Sequence, residues 1–434
     1  MLARCLLLLL LAVCAAGARA EDSAARDPAS EREPFVTDAR AVARVLELVT
    51  ARLELMPEVA AAKRASGAAL RDRGRERELA ARSGREARAI GLAPGPVVTL
   101  TELQMRLARD VQRRQLARWR AHGYDGPATP PDLGRELRPR IDRNGREFMV
   151  ALRIALPALA EPVRIEAAVA AARPRLDSLG VGAADRRALI RALAAQRPAP
   201  LPALERIRTS GTLRVGTTGD YAPFSLEHDG VVAGADIALA RRLAAAFGVA
   251  PVFVATSWPT LLADLAADRF DVALAGISVT AERRAVAAFS LPYQHGGKTP
   301  IARCAERERF ATLAGIDTPG VRVIVNPGGT NERYARDSLR AASIVVEPDN
   351  RRVFAALVAG AADVMITDDV EVELQVRRHP TLCRTMPGTL TGVDKAILMP
   401  RDPALVAAVD AWLAPVIAAG LPARLLRDAL TPAH

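Results

Sequence analysis

Lysine is nearly absent from this chain. Of its 60 basic residues only Lys63, Lys298 and Lys395 are lysines, so arginine is the default surface cation and each lysine marks a candidate site for a compact ammonium, weighed against chance survival. Aromatic residues are scarce too, at 4%. That scarcity, with no zinc-ligand spacing and no basic run free of interspersed acids, argues against a nucleic-acid surface despite the net charge of +11. The excess charge is also uneven: residues 21–200 hold 33 Arg and Lys against 24 Asp and Glu, whereas residues 201–434 hold 25 of each. Cysteines number four, and no apolar run after the first twenty residues is long enough to span a bilayer.

The strongest apolar run lies at the start. Arg4 precedes the stretch from Leu6 to Val13, and Ala18-Arg19-Ala20 ends the segment, the pattern of a secretory signal over residues 1–20 that is cleaved before Glu21. A lipid attachment at Cys14 ranks second, because Val13 is larger than the residue expected before a lipidated cysteine. Cys5 and Cys14 fall within this signal, leaving Cys304 and Cys383 as the only thiols of an exported, periplasmic chain that keeps no membrane anchor. In an oxidising compartment the two are expected to pair, with two separate buried thiols as the rival reading.

Composition divides the remainder. Residues 21–34 are polar and expected to be a disordered leader; residues 35–196 are rich in Ala, Leu, Arg and Glu at helical spacing, as in Val42, Val45, Leu46, Val49 and Leu53, with no convincing strand. A Pro-rich stretch opens a stiff linker over residues 197–210. From residue 211 to 434 short apolar runs alternate with helical stretches: Leu213 to Thr217, Val252 to Ala255, Asp271 to Ala275, Val321 to Val325, Ile344 to Val346 and Val364 to Ile366. The expected fold class is therefore multidomain, an all-α N-terminal domain followed by an α/β domain with mostly parallel strands.

In the helical half, Arg52 and Lys63 lie eleven residues apart, near three helical turns, and so are expected on one face of a long helix. The segments RLELMPEVAAAK (Arg52 to Lys63), DRGRE (Asp72 to Glu76), RDVQRRQLARW (Arg109 to Trp119) and PPDLGRELRPRID (Pro130 to Asp142) follow in order. In that order and spacing, residues 38–160 resemble the secreted, gamma-type all-helical chorismate mutases. The resemblance implies that Arg52, Arg75 and Arg138 hold the two carboxylates of chorismate, that Lys63 and Gln112 bond its ether oxygen, that Glu76 holds its hydroxyl and that Asp72 orients the arginines. The reaction is a pericyclic rearrangement, which needs a clamp and a positive field rather than a base or nucleophile. Ala108 departs from the family's Ser, Thr or Asn. The resemblance also implies a homodimer through the helical domain.

The second half carries GDYAPFS (Gly219 to Ser225), TSWP (Thr256 to Pro259), GISVTAERR (Gly276 to Arg284), GGKTPI (Gly296 to Ile301), NPGGTNE (Asn326 to Glu332) and TDDVE (Thr367 to Glu371). It resembles periplasmic amino-acid-binding proteins and, within them, cyclohexadienyl dehydratases. The implied fold is the two-lobed type II solute-binding fold, with lobe 1 at about 211–297 and 395–434 and lobe 2 at about 298–394. The implied substrate-binding set is Tyr221, Trp258, Ser278, Arg283, Thr330, Asn331 and Asp368, with Arg283 gripping a carboxylate and Gly328-Gly329-Thr330 opening a helix at an anion seat. In carriers, Asp368 would pair with an α-amino group; here it serves arogenate or pairs with Lys298. Asp369 is expected to face solvent and Lys395 to be structural.

Glu371 is the expected general acid. Loss of a ring hydroxyl as water needs protonation of a poor leaving group, and a glutamic acid can supply that proton near neutral pH only when burial raises its pKa. Lys298 would hold the departing oxygen or a carboxylate. The resulting expectation is a bifunctional enzyme with no metal and no cofactor, converting chorismate to prephenate and then prephenate to phenylpyruvate, or arogenate to phenylalanine. The rival is an amino-acid-binding transport protein fused to an inactive helical module.

Overall fold

The computed structural model describes residues 33–431. The expected signal over 1–20 and most of the expected leader lie outside the described residues. Among those described, no single helix is long and apolar enough to cross a membrane.

Among the described residues, seven long helices build the first half, beginning with Asp38–Glu54, Met56–Ser66, Arg73–Ala89 and Pro94–His122 and ending with Arg138–Ala155, Pro162–Ser178 and Ala183–Ala194. Thr37 caps the first through its side chain at the Arg40 N–H, and Val42, Val45, Leu46, Val49 and Leu53 form one fully buried stripe. That stripe joins the same core as Leu152 and Ala155 and as Ile165 and Val169 of the later helices. The expected long helix carrying both Arg52 and Lys63 is instead two segments, broken at Leu55. Pro57 explains the break, because its ring excludes the carbonyl one turn earlier and it has no N–H to offer.

A strand precedes these helices, contrary to the expectation of an all-helical segment from residue 35. Glu33–Val36 runs parallel to Ala250–Ala255, with Phe35 opposite Phe253, and antiparallel to Val231–Ala233. Phe35 is buried in the core of the α/β half. The chain therefore enters that half first, leaves it to form the helical bundle, and returns.

The return is not a free linker either. Ala93 N–H donates to the Arg197 carbonyl and Ala199 N–H to the Gly91 carbonyl, both at 2.9 Å, and Ala203–Ser210 forms a helix. Gly91 has φ 75°, and a side chain there would meet Arg206 and Arg153. Those arginines enter a cluster, buried except at the half-exposed Asp268, that bridges the halves: Arg153 and Arg206 reach Asp268 and Asp271 respectively, and Arg214 binds each aspartate at 2.6 Å. Arg269 pairs with Asp38 beside them.

The α/β half has two sheets in two lobes. In the first, Thr212–Thr217 runs parallel between Ala250–Ala255 and Val272–Ala273, while Leu398–Met399 and Ala288–Phe289 add antiparallel edges. In the second, Arg322–Val325 lies parallel to Ser343–Val346 and Val364–Asp368, and Lys298–Arg303 lies antiparallel between Val364–Asp368 and Leu382–Arg384. Val364–Asp368 is buried at every residue, as a strand covered on both faces must be. Cys304 and Cys383 are bonded to each other across the last pair of strands, closing a separation of 79 residues, which stabilises the fold by about 4 to 5 kcal/mol in the chain-entropy account.

Between the lobes the chain crosses twice, at Gln294–Gly296 and Val393–Lys395. These pair antiparallel, Lys395 opposite Gln294. The pairing makes a two-stranded hinge and brings Lys395 to the base of the cleft.

Asp271 tests the part of the charge cluster where the connecting helix meets the first lobe. Burial alone would raise its pKa, but Arg214 and Arg206 hold it below the usual carboxylate range. Its contribution is therefore present above the ordinary aspartate pKa and is lost as pH falls through the depressed folded value. Asp271→Ala, which strands buried guanidinium groups, is expected to destabilise by about 3 to 5 kcal/mol in urea unfolding. The wild-type advantage should shrink on acidification.

Candidate active sites

A cavity of about 570 Å³ opens in the helical bundle, a volume suited to a small-molecule ligand. Arg52, Lys63, Asp72, Arg75, Glu76, Gln112 and Arg138 all line it, as does Ala108. Four segments far apart in sequence thus deliver their polar side chains to one space.

The local chemistry is that of a positive pocket with unmet donors and acceptors. Burial pushes the Arg52 guanidinium pKa down, opposed by Asp142, and the Arg52 Nε has no partner among the described residues. Lys63 Nζ donates to the Leu70 carbonyl at 2.9 Å, and burial lowers its pKa against the raising influence of Glu76 and Asp72. Gln112 is buried; its Nε2 meets only the Met56 sulfur at 3.2 Å, and its Oε1 is unpartnered. A buried amide left in this state favours any ligand that completes its hydrogen bonds.

Two details differ from the expected roles. Asp72 caps the helix Arg73–Ala89, accepting the Arg75 N–H at 3.0 Å, so its carboxylate serves the backbone rather than the arginine side chains. Glu76 is already engaged at both oxygens, by Arg109 on one and by Arg71 at 3.4 Å on the other. Arg109 therefore belongs to the site. Its distance of 33 residues from Glu76 hides the pairing from any local pattern.

The second candidate site lies between the lobes, which are closed. The remaining cavity is about 20 Å³, room for about one water molecule. Tyr221, Trp258, Ser278, Arg283, Thr330, Asn331 and Asp368 line it. Tyr221 meets Trp258 edge to face at 5.7 Å, and Arg283 lies 6.0 Å from the Trp258 ring centre while donating to the Ser278 carbonyl at 2.8 Å. Thr330 and Asn331 begin the helix Thr330–Ser338, whose preceding Gly328 N–H is taken by Glu332 at 2.7 Å. One donor of the expected anion seat is thus filled from within the chain.

Asp368 is the most heavily contacted group in the cleft. Lys298 Nζ binds Oδ1 at 2.8 Å, while Lys395 Nζ and the Tyr221 hydroxyl both reach Oδ2. Burial opposes ionisation, yet Lys395 and Lys298 hold the Asp368 pKa far below the usual range. Lys395, expected to be structural, is buried beside the ligand cavity and also bonds Ser278 Oγ at 3.0 Å. The expected solvent position of Asp369 is also corrected: it is half-buried, and its N–H donates to the Gly297 carbonyl at 2.8 Å.

Glu371 sits directly behind this wall. It is 3% exposed, on the first turn of the helix Asp369–Arg378. The Thr367 hydroxyl donates to its carboxyl; Thr367 in turn accepts from Asn331 Nδ2 at 3.0 Å, and Asn331 Oδ1 accepts from Lys298 at 2.6 Å. Glu371 and Lys298 do not line the closed cavity; the chain Asn331, Thr367, Glu371 leads from it to the acid. Burial raises the Glu371 pKa to about 8, with Asp368 adding to the rise and Thr367, Lys298 and Lys395 opposing it.

Asn326 and Asn350 also line the cavity. Asn350 reaches across the lobes to the Asp220 carbonyl at 2.9 Å. Nothing in the local sequence marks Asn350, whereas Asn326 begins the NPGGTNE motif.

The two-lobed fold with a closed cleft at its hinge defines the class. Residues 213–429 match the family of bacterial extracellular solute-binding proteins, family 3, and residues 43–113 match chorismate mutase type II. The chain is 52% identical over 212 residues to cyclohexadienyl dehydratase of Pseudomonas aeruginosa, covering 48% of this chain and 79% of that protein. It is 28% identical over 184 residues to the L-cystine-binding protein TcyJ of Escherichia coli, covering 42% and 68%. Among solved structures, an amino acid ABC transporter substrate-binding protein from Streptococcus pneumoniae, bound to L-arginine, matches with TM-score 0.50 at 26% identity, over 53% of this chain and 98% of that one. The chain belongs to the bacterial extracellular solute-binding proteins, family 3, and carries a chorismate mutase type II domain ahead of that fold.

The closed cleft gives one direct expectation. Asp368→Asn removes the negative charge that both lysines share, so Glu371 loses the neighbour that raises its pKa while keeping those that lower it. The Glu371 titration midpoint is expected to move down from about 8 in this variant, as read by carboxyl infrared absorption against a Glu371→Gln control.

Proposed function

We propose that the protein is a bifunctional enzyme of phenylalanine biosynthesis, a chorismate mutase followed by a prephenate or arogenate dehydratase. The single observation that carries the second activity is a fully buried carboxyl, Glu371, whose pKa of about 8 keeps it protonated at neutral pH in a cleft whose fold otherwise serves solute carriage. Similarity to a cyclohexadienyl dehydratase at 52% identity supports the same reading.

In the bundle cavity, Arg52, Arg75 and Arg138 would clamp the carboxylates of chorismate in a folded conformer, while Lys63 and Gln112 bond the ether oxygen as its bond to carbon breaks. Charge builds at that oxygen in the transition state, so the positive field there lowers the barrier. No proton is transferred, consistent with a site rich in Arg and free of an activated nucleophile. Glu76, held by Arg109, positions the substrate hydroxyl.

In the cleft, Arg283 and Ser278 would hold one carboxylate of prephenate, and the start of the helix Thr330–Ser338 the other, with Tyr221 and Trp258 against the ring. The lobes must part at the hinge to admit it, since the closed cavity holds about one water. The loaded cleft must be wide enough to bring the ring hydroxyl past Asn331 and Thr367 to Glu371, which then gives it a proton so that it leaves as water. The ring carboxylate leaves as carbon dioxide, and its bonding electrons enter the ring, which becomes aromatic. Glu371 then recovers a proton from solvent.

The disulfide, the extracellular character of the family and the signal pattern of residues 1–20 together support export to the periplasm. The two activities would then act in sequence outside the cytoplasm. The helical unit then runs from 37 to 196 and a connecting segment from 197 to 210, and the α/β unit comprises 211–434 together with the strand Glu33–Val36.

Two measurements check this. Glu371→Gln is expected to lower prephenate turnover by about 10²-fold or more while leaving prephenate binding intact; wild-type turnover should be level below pH 7 and fall as pH rises through about 8. The same sign holds for stability: a carboxyl with a raised folded pKa contributes most below its ordinary value and loses that contribution as pH rises through the folded one. Lys63→Ala is expected to cut chorismate consumption by about 10²-fold with prephenate dehydration unchanged, and mutase activity should stay nearly level from pH 5 to 8 because Gln112 does not titrate.

A further inference from the structure

The mutase cavity contains one acid able to disarm it. Lys63 is to meet a ligand oxygen as charge builds there, and it gives one of its ammonium donors to the chain, at the Leu70 carbonyl. Among the described residues, the acids lining the same cavity are Asp72, Glu76, Glu86 and Asp142. Asp72 is committed to the Arg75 N–H, Glu86 is paired with Arg82 at 2.7 Å, and Asp142 acts on Arg52. Glu76 remains, and of the acids that act on Lys63 it acts most strongly, ahead of Asp72. A carboxylate and an ammonium in a partly buried pocket close on each other unless something holds them apart.

Arg109 supplies that hold. It stands on the helix Pro94–His122, one turn before Gln112, and lines the cavity. Its guanidinium binds Glu76 Oε1, and both side chains are 20% exposed; the other contact of Glu76, at 3.4 Å, comes from Arg71, whose side chain is 56% exposed. A long contact from so exposed a side chain contributes little. Asp110, next to Arg109 in sequence, is taken by Arg106 at 3.4 Å and Arg113 at 3.0 Å, so it does not draw Arg109 away. Arg109 also opposes the protonation of Lys63, as Arg138 does, which places it on the same side of the pocket's charge balance as the cation it protects.

We propose that Arg109 is a positioning residue of the mutase site: it holds Glu76 off Lys63, so that the ammonium stays available to the ether oxygen and the carboxylate stays where the substrate hydroxyl meets it. This rests on the mutase reading and adds a residue to it. Without Arg109 the carboxylate swings to Lys63, and the positive field at the breaking bond is cancelled from within the chain.

The test is a double-mutant cycle on the full chain, with chorismate consumption followed in the wild type, Arg109→Met, Glu76→Gln and the double variant. Arg109→Met is expected to lower kcat by about tenfold or more. In the Glu76→Gln background, where a neutral amide brings no charge to Lys63, the same change should lower it by less than about threefold. Arg109→Lys, which keeps a cation for Glu76, should retain most of the activity. A loss of equal size in both backgrounds, or none in the wild-type background, overturns the proposal. Melting temperatures check folding, and Arg109→Gln carries the same cycle if Arg109→Met does not fold.

The Lys63 ammonium gives a second readout that a purely structural role would not move. With lysine at only three positions, NMR of isotope-labelled lysine resolves Lys63, assigned by its absence from Lys63→Arg. The charged groups acting on it are Glu76, Asp72, Arg109 and Arg138. Arg109→Met should move its titration midpoint up, because an opposing cation is gone and Glu76 closes in, and adding Glu76→Gln should bring it back down. A midpoint unmoved by Arg109→Met overturns the proposal. If the wild type does not consume chorismate, the mutase reading fails, and the Lys63 titration then decides the placing of Glu76 by Arg109 on its own.

Discussion

The cleft is organised around one carboxylate shared by two ammonium groups and a phenol. Asp368 stays ionised in a buried position because Lys298 and Lys395 bond its two oxygens, and both lysines tolerate burial because Asp368 stays ionised. Neither half of that arrangement is stable alone, since a buried charge without a partner costs several kcal/mol. Glu371, three residues further along, is governed by the balance. Burial is the larger influence on it and Asp368 reinforces burial, so two nearby lysines do not strip its proton. An acid usable at neutral pH thus coexists with a strongly cationic cleft.

The two halves are joined by the same logic of paired burial. Arg153, Arg206 and Arg214 surround Asp268 and Asp271 where the bundle meets the first lobe, and the strand Glu33–Val36 places the chain's first described residues in the sheet of the other half. The helical unit is therefore anchored through its entry strand, through the paired segments 91–93 and 197–199, and through the charge cluster. The two lobes are joined through the paired strands Gln294–Gly296 and Val393–Lys395.

Much of this was legible from residue patterns, and the exceptions have physical causes. The buried stripe Val42 to Leu53 repeats at helical spacing, and the strands Arg322–Val325 and Val364–Asp368 are short, nearly continuous apolar runs, so both kinds of element could be read directly. The four-residue strand Glu33–Val36 is too short to show a period, and only its neighbours in space make it a strand. The place of Lys395 at the cavity is hidden from local pattern because its partner Asp368 lies 27 residues away and hinge pairing sets its position. The Glu76 and Arg109 pair was hidden in the same way. The break after Glu54 was signalled by Pro57, whose effect on the preceding turn outweighs the helical spacing of Arg52 and Lys63.

The central claim is that the Glu371 carboxyl, buried behind the wall of the closed cleft, holds its proton at neutral pH. Carboxyl infrared absorption of the wild-type protein, with the Glu371→Gln spectrum subtracted, observes that proton without relying on turnover. The account predicts a protonated carboxyl band at pH 7 that disappears with a midpoint near about 8. A group already ionised at pH 7, titrating at an ordinary glutamate value, would contradict it.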